Sequence, residues 1–144
     1  MMPGPAQTAG KVLEKSLPAR FEDAEAFILD LRHLLAALGM RTGVFDIELL
    51  AREILANAIR HGCQGDPSRS ILVHISILAD RVRICVSDEG PGFDWRNTSS
   101  TLPSPTSEMG RGLYIINTYA DTVEFNDAGN TVCVTKTFPS EECT

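Results

Sequence analysis

Three short clusters in this 144-residue chain combine residue types and spacings that can do chemistry. The first is Glu53 and Asn57 within "EILANAIRHG". At about 100° per residue on a helix, side chains four apart stand nearly one above the other, so this carboxylate and this amide share a face beside the apolar stripe of Ile54 and Ala58. A carboxylate so placed can take a proton from water or a hydroxyl, and an amide oxygen one turn on can ligate Mg²⁺, which prefers hard oxygen donors and keeps several waters. The second cluster is Asp88, at the end of a strand-like run, with Gly90 and Gly92 following. Glycines let the backbone approach a flat ring closely, and the carboxylate can accept a hydrogen bond from an exocyclic amine such as that of adenine. The third, Gly110-Arg111-Gly112, precedes an apolar-periodic run, where unpaired helix-start amides and an arginine can hold phosphate oxygens. Each cluster alone also has an ordinary reading: a solvated helix face, an Asp-x-Gly turn, a flexible helix entry.

The elements that must carry these residues follow from periodicity. Lys11 to Leu17 alternates and is ended by Pro18, which reads as a first strand. Phe21, Ala24, Phe27, Ile28, Leu31, Leu34, Leu35 and Leu38 recur at helical spacing before Gly39. A second helix is expected from about Val44 to His61 on Ile47, Leu50, Ala51, Ile54 and Ala58, closed by Gly62. Ile71, Val73, Ile75 and Ile77, then Val82, Ile84 and Val86, alternate on either side of "ADR" and predict a hairpin. Asn97 to Glu108 is a Ser/Thr/Pro tract read as a loop, and a third helix follows through Leu113, Ile116 and Ala120. "TVEF" and "TVCVTKTF" around "NDAGN" close the order as two more strands. The expected fold class is an α+β two-layer sandwich with a mixed, mainly antiparallel sheet and about three helices on one face. Residues 1–10 are expected to be a disordered lead, 11–138 one domain, and 139–144 a tail.

Composition excludes several classes. The formal net charge of -6 disfavours a nucleic-acid partner, since phosphate backbones are met by clustered Lys and Arg. No apolar run nears the ~20 residues of a membrane span, and the start lacks a secretory leader, so a cytoplasmic location is expected. Cys63, Cys85, Cys133 and Cys143 show no Cys-x-x-Cys pair and are read as reduced thiols, with no structural metal. His61 reads as a helix-end residue and His74 as a strand residue, neither as a ligand. The site is neither a Walker loop, having no Gly-Lys-Ser/Thr, nor a Rossmann fingerprint.

With the three clusters in this order, the chain resembles the GHKL family of ATP-binding domains with the Bergerat fold, and most of all the bacterial anti-sigma factor serine kinases of the RsbW/SpoIIAB type. The likeness covers about Lys11 to Phe138 and rests on "EILANAIRHGCQGDP" as the N box and on "DEGPGFD" and "GRGLYIINTYAD" as the two glycine boxes. It implies ATP and Mg²⁺ as cofactors, Glu53 as general base, Asn57 on Mg²⁺ and Asp88 on the adenine amino group. Gly90 and Gly92 would line the adenine pocket, while Gly110, Arg111, Gly112 and Leu113, with a lid at about 96–109, would enclose the phosphates. Thr131 lies near the family's final Gly-Thr, although Asn130 here separates it from Gly129. The implied activity is phosphorylation of a serine on a STAS-type antagonist, with a sigma factor as the sequestered partner and a homodimer as the assembly. The alternative is a non-catalytic regulator whose nucleotide-ordered lid controls partner binding. A histidine kinase would need a phosphoacceptor helix pair, for which the chain offers no segment.

Overall fold

The computed structural model describes residues 10–90 and 108–138. Strand β1 (Lys11–Pro18) leads into helix α1 (Phe21–Ala37) and helix α2 (Val44–Asn57), and α2 runs on into a π-helical turn, Ala58–Gly62. The hairpin β2 (Ser70–Ile77) and β3 (Arg81–Asp88) follows, then α3 (Glu108–Tyr119), β4 (Thr122–Phe125) and β5 (Thr131–Thr137). The element order matches the periodicities. The five strands lie in the order β1-β2-β3-β5-β4. Each of the four pairings is antiparallel, so the mixed component expected of the sheet is not seen among the described strands.

Side-chain alternation gives the sheet one dry face. Ile71, Val73, Ile75 and Ile77 on β2 and Val82, Ile84 and Val86 on β3 are buried, as the period of two requires. Against them lie Phe27, Ile28, Leu31 and Leu35 of α1 and Ile47, Leu50 and Ile54 of α2. Helix α2 packs between α1 and α3, which makes it the central element of the helical layer. Bidentate pairs from Arg32 to Glu48 at 2.8 and 2.9 Å and from Arg52 to Glu25 at 3.0 and 2.9 Å tie α1 to α2. Both arginines reach solvent, which screens these pairs, so the packing carries the helix pair. Leu50→Ala should therefore cost about 3 kcal/mol of unfolding free energy, read from a denaturant midpoint, because Leu50 is fully buried.

Among the described residues no helix covers the other face of the sheet, and there the reading of Cys85 and Cys133 as reduced thiols is overturned, while Cys63 is free as expected and Cys143 lies outside the described residues. Cys85 of β3 and Cys133 of β5 are register partners with Cα atoms 4.0 Å apart, and their sulfurs form a disulfide. The close, non-hydrogen-bonded kind of antiparallel pair brings such side chains together. The 48-residue separation gives no local sign of it. Cys63 is the buried free thiol among the described cysteines; its Sγ lies 3.9 Å from the Ser70 carbonyl oxygen, and burial pushes its pKa up.

Candidate nucleotide site

Helix α2 presents Glu53 and Asn57 half-buried, beside the fully buried Ile54 and Ala58. Asn57 is the last α-helical residue, where an unbroken helix to His61 was expected. Beyond it the Cys63 N–H donates to the Ala58 carbonyl at 2.7 Å, a five-residue step that widens the helix, and the Gly65 N–H reaches the Ile59 carbonyl at 2.8 Å. The widened turn still buries Ala58, Ile59 and Cys63, so the core stripe continues while the trailing residues are carried toward β3.

Gly62, at the end of this turn, lies against Asp88. A Cβ on Gly62 would fall on the Asp88 carboxylate, and one on Gly90 would fall on the Gly62 carbonyl. The two glycines thus let the N-box turn and the glycine turn after β3 close on the carboxylate from both sides. The Gly90 N–H donates to Asp88 Oδ1 at 2.7 Å. Burial is the main influence on Asp88 and holds its pKa above the ordinary carboxylate value; the Gly90 hydrogen bond and the charge of Arg69 oppose it. Gly62→Ala should lower nucleotide affinity tenfold or more in a direct titration and cost about 1–3 kcal/mol of stability, since the added Cβ would fall on the Asp88 carboxylate and force it or the turn to shift.

A third layer of support comes from the β4–β5 turn. The Asp88 N–H donates to the Asn130 carbonyl at 2.9 Å, and Asn130 Nδ2 donates to the Gly90 carbonyl at 3.1 Å. Asn130 is itself fixed by Asn126, whose Oδ1 accepts from the N–H groups of Gly129, Asn130 and Thr131 and whose Nδ2 donates to Asn130 Oδ1. Thr131 is on the other side of the sheet: Ser87 is its register partner, and the two hydroxyls are 2.9 Å apart. Strand parity therefore brings Asn130, not Thr131, beside Asp88. The sequence showed Asn130 as an insertion between Gly129 and Thr131, and the side-chain carbonyl and amide of Asn126 explain how the turn absorbs it.

Gly110, Arg111 and Gly112 lie inside α3, which starts at Glu108, rather than ahead of it. The first-turn amides, that of Gly110 among them, still lack intrahelical partners. Leu113 follows on the same helix. Gly92 and the lid at about 96–109 fall outside the described residues, apart from the helix start. His61 Nε2 is buried and accepts or donates no hydrogen bond among the described residues. His74 sits on the open face, 3.6 Å from Glu14.

The arrangement of a helix-face carboxylate and amide, a half-buried strand-end carboxylate and a glycine turn can be set beside what comparison finds. The histidine kinase-like ATPase domain family matches residues 17–136. The chain belongs to that family. It is 30% identical over 134 residues to the serine-protein kinase RsbW of Bacillus subtilis (strain 168), covering 86% of this chain and 84% of the relative. Against the RsbW of Bacillus licheniformis it is 30% identical over 138 residues, covering 89% and 86%. The RsbW of Staphylococcus aureus (strain MSSA476) is 26% identical over 147 residues, covering 94% and 92%. Among solved structures, the histidine kinase domain of an Erythrobacter litoralis blue-light activated histidine kinase has a TM-score of 0.47 and 18% identity, over 78% of this chain and 58% of that one. Among the described residues, no helix is long and apolar enough to cross a membrane.

Proposed function

We propose that this chain is an ATP- and Mg²⁺-dependent serine protein kinase acting as an anti-sigma factor: it holds a sigma factor and phosphorylates a serine of a STAS-type antagonist. The observation that carries the reading is the closure of the Gly62 turn and the Gly90 turn on the half-buried Asp88 carboxylate, at the end of the helix that bears Glu53 and Asn57. The names of the RsbW relatives support the serine-kinase half of it.

In this reading the Asp88 carboxylate accepts a hydrogen bond from the exocyclic amine of adenine through the oxygen that does not accept from Gly90, a role the Gly90 N–H to Oδ1 bond supports. Glu53 precedes Gly62 by nine residues, on the order of 13 Å along a helix axis, which leaves space for sugar and phosphates between the two carboxylates. The first-turn amides of α3 take phosphate oxygens. Glu53 accepts the proton of the incoming serine hydroxyl as its oxygen bonds the γ-phosphorus and the bond to ADP breaks. Mg²⁺ suits this donor set: Asn57 offers one hard amide oxygen, no cluster of three or more acidic, His or Cys side chains stands among the described residues, and Mg²⁺ takes few protein ligands beside phosphate and water. When bound it would neutralise charge on the phosphate oxygens. The reading includes a cytoplasmic location and a homodimer, for which β1 supplies an edge strand.

Incubation with a cognate STAS-domain protein, Mg²⁺ and γ-labelled ATP should move label onto a serine. ATP-dependent capture of the partner without any transfer would instead favour a non-catalytic regulator.

A further inference from the structure

Beyond the nucleotide site, the open face of the sheet carries a chemically reactive pair. Strand alternation places Arg83, Cys85 and Ser87 of β3 and Thr131, Cys133 and Thr135 of β5 on the side away from the helices. Cys85 and Cys133 are partly exposed there, unlike the fully buried Cys63. Their flanking register partners are His74 on β2 and Glu124 on β4. Arg83 reaches across β5 to Glu124 at 2.9 Å, so among the described residues the sulfurs have polar neighbours on this face. The pair also sits two residues from the Ser87–Thr131 hydroxyl contact and three from the Asp88–Asn130 bond, on the two strands that end at the site.

We propose that Cys85 and Cys133 form a reversible thiol–disulfide site whose reactants are low-molecular-weight disulfides and thiols, and that its closure stiffens the β3–β5 ladder that holds Asp88 and Asn130. The second half rests on the nucleotide reading above. In the closing direction one thiolate attacks the external disulfide, giving a mixed disulfide and one released thiol; the second thiolate then attacks the protein sulfur of that mixed disulfide, and a second external thiol leaves. Two electrons and two protons pass from the protein thiols to the external disulfide, and dithiols run the reverse reaction. Closed, the link removes freedom from a 48-residue separation and couples the two strands beside Asp88. In a reducing compartment, a disulfide of this exposure is of the transient kind.

The test equilibrates the folded chain in mixtures of oxidised and reduced glutathione, alkylates free thiols after denaturation, and maps them by mass. Cys85 and Cys133 should change together, both protected in oxidised buffer and both alkylated in reduced buffer. The reduced form should unfold on the order of 5–10 °C lower and bind Mg-ATP about threefold to tenfold more weakly. Cys85→Ser/Cys133→Ser should match the reduced form and ignore the buffer. Two cysteines that stay free in oxidised buffer, or a link that no thiol opens in the folded chain, overturn the reversible site. Equal Mg-ATP affinity in the two forms overturns its link to Asp88. If neither form binds nucleotide, the kinase reading and that link fall together, while the thiol mapping still decides the disulfide.

Discussion

Asp88→Asn is expected to lower Mg-ATP affinity by about 10²- to 10³-fold while leaving the nucleotide-free chain as stable at neutral pH as before, or more so. The loss comes from chemistry at one atom. With Oδ1 held by the Gly90 N–H, an asparagine turns its NH₂ toward the place of the adenine amine, so donor meets donor. The stability half follows from the sign of the Asp88 shift. Burial raises its folded pKa above the unfolded value, so the protonated form favours the fold; that contribution is present below the unfolded pKa and is lost as pH rises through the folded one. At neutral pH the ionised carboxylate is a cost that asparagine removes, and the advantage of the variant shrinks as pH falls into the acid range. Calorimetric titration with Mg-ATP and urea unfolding at pH 7 and in acid check both halves. Unchanged affinity would remove Asp88 from the site.

Glu53→Gln is expected to divide the rate of phosphoryl transfer by about 10²–10⁴ with ATP affinity within about threefold of the original. The amide keeps the size of the side chain on α2 but cannot accept the serine proton. Asn57→Ala, one turn on, should do the opposite and weaken Mg-ATP binding itself, because it removes the oxygen offered to the cation. Single-turnover transfer and equilibrium titration on the same preparations separate the two effects. A Glu53→Gln chain with full transfer rate would assign the base elsewhere.

Much of the fold was legible because burial imposes period. The alternation of Ile71, Val73, Ile75 and Ile77, and the helical spacing of Phe27, Leu31 and Leu35, announced faces that are buried in the structure. The two carboxylates, Asn57 and the glycines were legible as types at fixed spacing. What supports them was not. A π turn after Asn57 adds one residue to a helical turn without disturbing the apolar pattern, so the approach of Gly62 to Asp88 had no local signal. The position of Asn130 beside Asp88 depends on strand register, which is set by pairing between β3 and β5. The Cys85–Cys133 link depends on the same pairing. The α3 start at Glu108 places two glycines inside the helix, against their propensity, and intrinsic preference had pointed to a later beginning.

The most direct measurement of the central claim is the mass of a cognate STAS-domain protein after incubation with Mg-ATP and a substoichiometric amount of this chain. Phosphorylation of one acceptor serine beyond one acceptor per chain, abolished by Glu53→Gln, is the predicted result. An acceptor that stays unmodified while the chain binds ATP with Asp88-dependent affinity would contradict it.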